Sequence, residues 1–388
     1  MRIALLSNEL YPLSIGGMQK HSYYLARNLA QKGVKVDLYF HRPDNQESKN
    51  KLMSTLSDNE LKGITFHEID VPSSIYFPGH YMFNSYRYSV NVFKNLKNQL
   101  NSIDFVYVQG FNALKLLKEK NNLKKCPPIG INFHGIEMFQ GAANMTANFE
   151  KHLFRSPAVY CLRRSDVAFS LGGKLTGILK KRVGNSTKIL ETPIGLEKKW
   201  LNDKLKSHQG KRKFIFVGRY ERRKGIQELN EAIKKLNADY SFDFEFIGPI
   251  PEKKRLNAKN CHYYGAIYDE DKMIDIISTA DVLVCPSYSE GMPTVILEAM
   301  ARGLAVIATN VGAVSELVST KNGWLIEPAN QNQLEESLIH AITLSESQLY
   351  KKREFALKLI QEKFTWDDVV EQTLFQIQNY LSTNKIGN

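Results

Sequence analysis

The chain has 388 residues, more than one hydrophobic core usually organises, and this length indicates two domains. With 43% hydrophobic and 24% charged residues, its composition is that of a globular protein and excludes a disordered or fibrous class. The first eight residues form a short apolar run that soon meets Glu9 and Pro12. Such a start fits neither a signal peptide nor a membrane-spanning helix, so we expect a cytoplasmic protein.

The net charge of +12 belongs to the first half of the chain. Residues 1–200 contain 28 Lys and Arg against 15 Asp and Glu, whereas residues 201–388 contain 24 against 25. A field of this sign attracts an acidic partner, such as an anionic membrane face, a phosphate-bearing acceptor or nucleic acid. Charge alone does not choose among these partners, and a solvated basic surface without a partner stays open.

Short apolar runs alternate with segments of helical or loop character in the first half. The first run, residues 2–7, precedes a helical pattern around Leu25, Ala26 and Leu29 that ends at Gly33, which predicts one strand-helix unit. Further buried strands are predicted at residues 34–40, 105–109, 129–134 and 167–171. The alternation favours a parallel α/β sheet.

The pattern restarts after a turn at residues 193–195. A strand at 214–218 precedes a helix with a regular apolar face, and a second strand follows at 242–248. Further strands are predicted at residues 282–285, 306–309 and 324–326, and a last amphipathic helix at 366–381.

The chain therefore predicts an α/β protein with two Rossmann-like domains, residues 1–195 and 196–365, followed by a C-terminal helix within 366–388. Two parallel sheets that face each other place a ligand at the carboxyl ends of their strands, in the cleft between them. Candidate site residues are therefore expected just after the predicted strands.

The most informative strand-end segment surrounds Glu290. Pro293 is typical of a first helical turn and Gly303 of the position after a helix, so we expect a helix at residues 294–302. The first N–H groups of such a helix form an anion site, while Glu290 and Glu298 offer carboxylates to hydroxyl groups. A sugar attached to a diphosphate matches both features.

A second segment, from Gly218 to Gly225, also follows a predicted strand and opens a helix. It places Arg219 and Lys224 near the same edge of the sheet. A sugar leaves a diphosphate readily only when the growing negative charge is stabilised by a metal ion or by fixed basic side chains. The two basic residues are predicted to take that role.

These two segments together carry a resemblance to a known family. Glu290 and Glu298 form a Glu-x7-Glu pattern, and the residues from Gly218 to Gly225 form a Gly-Arg-x4-Lys-Gly pattern. Alone, two glutamates or an Arg–Lys pair usually mark ordinary surface positions. In this order and context, the chain resembles, over most of its length, the family-four group of retaining glycosyltransferases, which have the two-domain GT-B fold.

The resemblance implies a role for each matching residue of the second half. Arg219 and Lys224 would hold the donor diphosphate. Glu298 would hold the nucleotide ribose, and Glu290 would hold hydroxyl groups of the transferred sugar. The backbone of Gly218 and of the segment from Gly291 to Thr294 would assist. The candidate donor-binding residues of this half are Gly218, Arg219, Lys224, Glu290, Gly291, Met292, Pro293, Thr294 and Glu298.

Two features of the first half resemble the family as well. Gly16 and Gly17 resemble its glycine loop, where small residues let the backbone approach phosphate and acceptor closely, although a Gly-Gly pair alone signals only a turn. His134 resembles the family's histidine that reaches toward the donor sugar, although a lone histidine is more often structural. The candidate catalytic residues are His134, Arg219, Lys224 and Glu290.

The chain departs from the family pattern at two turns. It has Pro193-Ile194-Gly195 where many members have Pro-Asn-Gly, and it therefore lacks the asparagine amide. It has Ala313 after Gly312, where a second glycine is common. Alanine costs little there unless φ is positive, so we expect activity to be retained.

The string Asp269-Glu270-Asp271 matches a metal-binding Asp-x-Asp pattern, but it precedes a helical pattern in which acidic residues are ordinary caps. The resemblance implies that a helix dipole and basic side chains replace a cation. We therefore predict no metal ion and no cofactor.

The acceptor is encoded less clearly than the donor site. Residues 75–100 are dense in aromatic and basic side chains, namely Tyr76, Phe77, Tyr81, Phe83, Tyr86, Arg87, Tyr88, Phe93, Lys94 and Lys97. This composition suits a membrane interface and, with the basic first half, favours a lipid-linked intermediate of cell-surface polysaccharide assembly at the inner face of the membrane. A core helix or an acceptor wall fits the segment equally well.

The implied activity is transfer of a hexose or N-acetylhexosamine from a nucleotide-diphosphate sugar, a UDP-sugar rather than a GDP-sugar, to a glycan or lipid-linked acceptor. The anomeric configuration is retained, and a donor phosphate oxygen accepts the acceptor's proton. Two alternatives stay open. One is an epimerase or hydrolase of nucleotide sugars on the same fold; the other is a basic nucleic-acid-binding protein, for which the sequence has no recognised motif.

Overall fold

The structure is a computed structural model that describes residues 1–14, 16–75, 77, 79–205 and 210–385. Tyr76, named above in the aromatic segment, lies outside the described residues. The described chain forms two parallel β-sheets covered by helices. The predicted α/β architecture with two parallel sheets is confirmed.

The first sheet has seven parallel strands, in the order β3-β2-β1-β4-β5-β6-β7. These strands are β1 Arg2–Leu6, β2 Lys35–His41, β3 Ile64–Ile69, β4 Phe105–Gln109, β5 Ile129–Asn132, β6 Val167–Ser170 and β7 Lys188–Glu191. The order of the strands reverses between β1 and β4, so the loops after these two strands border one crevice.

The helices of this half are α1 Gly17–Gln31, α2 Gln46–Met53, α3 Asp58–Gly63, α4 His80–Leu96, α5 Leu114–Glu119, α6 Met145–Arg164 and α7 Lys174–Lys180. Helix α1 follows β1 directly and buries Leu25 and Leu29 in one apolar cluster with Ile3 and Leu5. The glycine-containing turn before α1 is thereby fixed at the carboxyl end of β1.

The second sheet has six parallel strands, in the order β10-β9-β8-β11-β12-β13. These strands are β8 Arg212–Val217, β9 Phe242–Ile247, β10 Cys261–Gly265, β11 Val282–Cys285, β12 Ala305–Thr309 and β13 Gly323–Ile326. Here the strand order reverses between β8 and β11. The two strongest sequence segments, from Gly218 and around Glu290, therefore follow the two strands at the reversal.

The remaining helices are α8 Ile226–Leu236, α9 Glu270–Ile277, α10 Thr294–Ala301, α11 Val314–Leu317, α12 Gln331–Thr343, α13 Glu346–Lys363 and α14 Trp366–Lys385. Helix α8 shows its apolar period clearly, because Ile226, Leu229, Ile233 and Leu236 are all buried on one face. Within the described ranges, no helix combines the length and apolar character needed to cross a bilayer.

Three strands, β3, β7 and β10, carry no apolar run of the kind that predicts the others, and our sequence expectations lacked them. Each lies at the edge of its sheet. None of the five residues of β10 is fully buried, whereas all five residues of β4 and of β12 are. Central strands of parallel sheets are covered on both faces, and edge strands keep polar side chains, so periodicity identifies the first class better.

Helix α14 returns from the second sheet to the first. The Trp366 ring lies 5.4 Å from the ring of His21 and 5.9 Å from that of Tyr24, both on α1. Val370 and Ile377 are buried in the same apolar cluster as α1. The C-terminal helix thus packs against the domain that contains the N-terminus.

The turn at residues 193–195 lies beside the start of α14. The Leu196 N–H donates to the Phe364 carbonyl at 2.7 Å, and the Trp366 N–H donates to the Leu196 carbonyl at 3.2 Å. A Cβ on Gly195 would lie 2.6 Å from the Trp366 ring. Gly195, which the chain shares with the family's Pro-Asn-Gly turn, is therefore required for packing, although Ile194 replaces the asparagine.

Candidate active site

The carboxyl ends of the two sheets face each other across a cleft of about 830 Å³. Both halves contribute the loops that follow their strands at the reversal of strand order, where parallel α/β sheets bind ligands. Ten predicted site residues line this cleft: Gly17, His134, Gly218, Arg219, Lys224, Glu290, Gly291, Met292, Pro293 and Thr294. Gly16 and Glu298 do not line it.

Lys224 and Glu290 form the centre of the charged wall. The Lys224 Nζ lies 2.6 Å from the Glu290 Oε1, and the Ser287 hydroxyl donates to the same oxygen at 2.7 Å. Glu290 is only 6% exposed. The ammonium and the carboxylate thus hold each other in place at the cleft surface.

Two arginines flank this pair. Arg219 lies at the rim, with 69% of its side chain exposed, and its Nε lies 2.9 Å from Glu221 Oε1. Arg223 lies deeper, 3.0 Å from Glu221 Oε2 and 3.6 Å from Glu290 Oε2. Burial acts to lower the pKa of Arg223, but Glu290, Glu137 and Glu221 outweigh it and raise that pKa. The sequence motif predicted Arg219 and not Arg223, whose only signal was its place beside Lys224.

The helix after Glu290 differs slightly from the prediction. Pro293 has an extended conformation and precedes the helix, which begins at Thr294 and ends at Ala301. Pro293 is therefore the N-cap residue rather than the first helical residue, and the helix ends one residue earlier than expected. Its free N–H groups still open on the cleft, because Pro293 and Thr294 line it.

Gly312 packs against the backbone of the loop that contains Glu290. Its φ is +55°, and a Cβ there would lie 2.2 Å from the Glu290 carbonyl oxygen. The Ala313 N–H donates to the Gly291 carbonyl at 2.8 Å. Gly312, the first residue of the family's Gly-Gly pair, is thus required. Ala313, which replaces the second glycine, keeps the backbone hydrogen bond.

His134 stands on the opposite wall. Strand β5 ends at Asn132, two residues earlier than predicted, and His134 has a left-handed backbone with φ +54°. The Asn132 Oδ1 accepts from the His134 N–H at 2.7 Å, and the His134 Nε2 lies 2.6 Å from Gln109 Oε1. Burial lowers the pKa of His134 to about 4, so the imidazole is neutral near pH 7.

Gly16 and Gly17 separate in the structure. Gly17 begins α1 and lines the cleft. Gly16 has an extended backbone, which any residue adopts, and a Cβ there would meet the Gln19 side chain at 2.3 Å. Gly16 therefore stands directly before the cleft-lining Gly17 without lining the cleft itself, and its role in donor binding stays a prediction.

Glu298 lies one turn inside α10, in a narrow space of about 20 Å³ next to the cleft. Gly17 and Thr294 border both spaces. Burial raises the pKa of Glu298, while Lys20 acts in the opposite direction. The predicted ribose-binding carboxylate therefore lies in the space directly beside the main cleft and not in its lining, and its side chain reaches back along α10 to hydrogen-bond with Thr294.

The Asp269-Glu270-Asp271 string caps α9, since Asp269 Oδ1 accepts from the Lys272 N–H at 2.8 Å. Glu270 lies 3.1 Å from Lys20 on α1 and so joins the two domains. In the described part of the chain, no group of three or more His, Cys, Asp or Glu side chains is arranged to hold a metal ion.

The residues of the aromatic segment 75–100 lie in three different environments. Tyr88 is buried in the core, Tyr81 lines the cleft, and Phe77 and Phe83 are exposed. Helix α4 is therefore at once a core helix and a wall of the cleft, with an apolar outer face.

Known proteins resemble this chain in both halves. The family described as Glycosyl transferases group 1 matches residues 198–354, and Glycosyltransferase Family 4 matches residues 15–189. TuaC of Bacillus subtilis, named as a glycosyltransferase of teichuronic acid biosynthesis, is 32% identical over 54% of this chain; the match spans 54%, about half, of that relative. The glycosyltransferase MJ1178 of Methanocaldococcus jannaschii is 26% identical over 94% of this chain and 95% of its own length.

A solved structure extends the likeness to the whole fold. Sucrose-phosphate synthase from Thermosynechococcus elongatus matches with a TM-score of 0.76 and 18% identity, over 98% of this chain and 99% of that one. At this identity the match establishes the architecture alone. The two family matches and the fold confirm the resemblance carried by the two sequence motifs: the chain belongs to the group 1 and family-four glycosyltransferases with the GT-B fold.

Proposed function

We propose that the protein is a retaining, metal-independent transferase that moves a hexose or N-acetylhexosamine from a nucleotide-diphosphate sugar to a glycan or lipid-linked acceptor. UDP-sugars are preferred to GDP-sugars. The reaction serves assembly of a bacterial cell-surface polysaccharide, which the similarity to TuaC supports. The enzyme works in the cytoplasm, peripherally bound to the inner face of the membrane, and nucleic acid is not its partner.

The observation that carries this proposal is the meeting of basic side chains and a helix N-terminus in one cleft. Lys224, Arg219 and Arg223 line it together with Thr294, where α10 begins. Cations and unpaired N–H groups at one place stabilise the charge of a departing diphosphate. In this role the protein itself supplies what a divalent ion supplies in other transferases.

The chemistry follows from that arrangement. The bond between the sugar's anomeric carbon and the diphosphate oxygen breaks, and the acceptor oxygen forms a new bond to the same carbon on the same face. The acceptor's hydroxyl proton passes to the departing phosphate oxygen, so no side chain acts as the general base. His134, neutral near pH 7, lies on the wall opposite the diphosphate site and is suited to hydrogen bonding with the transferred sugar.

The two domains are already in contact around this site. Gln140 Nε2 donates to the Gly135 carbonyl of one domain and to the Glu290 carbonyl of the other, each at 2.5 Å. The Gly135 and Gly291 backbones approach so closely that a Cβ on either would lie 3.1 to 3.2 Å from the other's nitrogen. Such contact supports exclusion of water that would otherwise hydrolyse the donor.

The test is a transfer assay with UDP- and GDP-sugars and with oligosaccharide and lipid-linked acceptors, in the presence of a chelator. We expect product only when acceptor is present, with the anomeric configuration of the donor by NMR. Lys224→Ala should lower kcat/KM by about 100- to 1,000-fold, because the departing diphosphate loses a fixed cation.

Lys234→Ala is the matched control, since Lys234 lies exposed on α8, where it pairs with the neighbouring Glu231 at 2.7 Å. Its kcat/KM should equal that of the wild type. Epimerised or hydrolysed donor without acceptor would instead identify the alternative activity, and loss of transfer on chelation would contradict metal independence.

A further inference from the structure

Opposite the charged wall, the cleft has an aromatic lobe. Tyr81 of α4, Phe154 of α6, and Phe133 and Met138 of the segment after β5 line it. The rings of Tyr81 and Phe154 meet edge to face with centroids 5.4 Å apart, so helices α4 and α6 join at the mouth of the cleft. The donor chemistry proposed above uses none of these four side chains.

One ammonium group accompanies the lobe. Lys151 of α6 lines the cleft, and its Nζ donates to the Gly141 carbonyl at 2.6 Å; among the described residues it has no carboxylate partner in an ion pair. Burial and the neighbouring Arg223 and Arg155 lower the pKa of Lys151, and Glu137 offsets only part of this effect. Lys151 presents to the cleft an ammonium group that an anion can bind.

Further exposed apolar side chains lie on or next to these two helices. Phe83 of α4 and Phe77, just before it, are 43% and 44% exposed, and their rings lie 5.7 Å apart. On α6, Phe149 is 71% exposed and Leu153 is 44% exposed. Single exposed apolar residues are ordinary, but three of these belong to the two helices whose rings meet at the cleft, and the fourth, Phe77, contacts Phe83.

We propose that the lobe is the acceptor subsite and that its ligand is an amphiphile in which a phosphate or diphosphate joins a sugar to a long apolar chain. Lys151 binds the phosphate group. Tyr81 and Phe154 contact the start of the apolar chain, and Phe83 and Phe149 cover the part that extends beyond the mouth. The sugar then faces the Glu290 wall, where the donor sugar is proposed to lie.

The ammonium group of Lys151 and the aromatic rings of the lobe each argue against a simpler acceptor. A neutral oligosaccharide would leave the Lys151 ammonium without an anion, and a soluble sugar phosphate would leave the aromatic mouth in water. An amphiphile satisfies both. This inference rests on the proposed transfer function and names its acceptor, so the experiment reads the two sites separately.

The experiment measures binding of farnesyl diphosphate, below its critical micelle concentration, to protein saturated with UDP or GDP, whichever binds. Inorganic diphosphate and farnesol are the comparison probes. The nucleotide occupies the Lys224 wall, so we expect the farnesyl diphosphate signal to report the lobe. Farnesyl diphosphate should bind at least about tenfold more tightly than either comparison probe, since only it offers both charge and apolar surface.

Two variants test separately the contribution of the diphosphate group and that of the apolar chain. Lys151→Gln should weaken farnesyl diphosphate binding by about tenfold, the effect of one charge-assisted hydrogen bond. Tyr81→Ala, at a half-exposed position, should weaken it severalfold and leave inorganic diphosphate unaffected. The controls are Lys181→Gln and Phe375→Ala, an exposed lysine and an exposed phenylalanine away from the cleft, and neither should change binding.

Nucleotide binding is measured in parallel and should be lost on Lys224→Ala but not on Lys151→Gln. Farnesyl diphosphate binding that depends on Lys151 while no nucleotide binds would refute the transfer function and keep the anionic lipid site. Normal nucleotide binding with farnesyl diphosphate binding absent, or unchanged in Lys151→Gln, would overturn the subsite. Binding to anionic vesicles alone would likewise overturn it, and would mark a membrane-docking face instead.

Discussion

The two walls of the cleft hold their functional side chains by different forces. On the second-domain wall, Glu290 is fixed by Lys224 and Ser287 at 2.6 and 2.7 Å. On the first-domain wall, the neutral His134 is held by hydrogen bonds to Asn132 and Gln109, and Tyr81 is held by a ring contact. Charge is organised in advance on one wall, and apolar surface dominates the other.

This difference matches what each wall has to stabilise. A departing diphosphate develops charge within a bond-breaking step, so its partners are effective only if they are already in position. An acceptor is bound before and after that step, and apolar contacts accommodate its shape without a fixed geometry. Changes to backbone geometry should therefore harm the charged wall most.

After Lys224→Ala, the largest effect is expected from Gly312→Ala. The new Cβ would meet the Glu290 carbonyl at 2.2 Å in a backbone with φ +55°, so the loop that carries Glu290 must shift. We expect kcat/KM to fall by about 100-fold and the free energy of unfolding by about 1–3 kcal/mol. Steady-state kinetics and thermal unfolding measure the two changes.

Gly177→Ala is the control for this glycine. It lies within α7, and a Cβ there meets nothing within 4 Å. The free energy of unfolding should rise by about 0.5–1 kcal/mol, because alanine loses less entropy in a helix. Equal activity of the Gly312 variant and the wild type would show that the charged wall tolerates displacement.

A smaller effect is expected from Gln140→Ala, which removes the amide that joins the two walls. Its Nε2 donates to Gly135 on one side and to Glu290 on the other. Loss of this bridge should lower kcat/KM by about 3- to 10-fold, because the closed arrangement loses hydrogen bonding of roughly 1 kcal/mol. The nucleotide's Kd should change little, because the cations remain.

Gln46→Ala is the matching control, since the Gln46 amide donates to Asn50 on the exposed surface of α2. If Gln140→Ala weakens nucleotide binding as much as it lowers kcat/KM, its effect lies on the charged wall alone. A functional bridge between the two walls would then be contradicted.

The smallest effect concerns acid sensitivity of the first-domain wall. Burial lowers the pKa of both His134 and His21, so on acidification the unfolded chain binds these protons first. Their stabilisation is fully present above the ordinary histidine pKa of about 6.5 and is lost progressively as the pH falls toward the folded value. The melting temperature should therefore drop between about pH 7 and about pH 5.

His134→Asn should reduce that drop by a few degrees, because asparagine tolerates the left-handed backbone and does not titrate. His262→Asn, at an exposed position of β10, should leave the drop unchanged. If the His134 variant loses as much stability on acidification as the wild type, the imidazole is protonated at little cost and the wall is more open to water than its burial indicates.

The charged wall was largely predictable from the sequence for a local reason. The segments from Gly218 and around Glu290 each follow an apolar strand directly, and the carboxyl ends of parallel strands meet at one edge. Gly16 and Glu298 do not line the main cleft, although Glu298 borders the adjoining space together with Gly17 and Thr294, and the donor-binding roles of both residues stay predictions.

The sequence by itself thus determined the alternation of strands and helices, the parallel sheets, and which loops carry cations and carboxylates, since these follow from periodicity and residue chemistry. Only the tertiary structure decided that Gly312 supports the Glu290 loop, that Gln140 bridges the domains, and that Lys151 lies in an aromatic lobe. Those relations join residues that are distant in the chain, and they exist only once the two domains have docked.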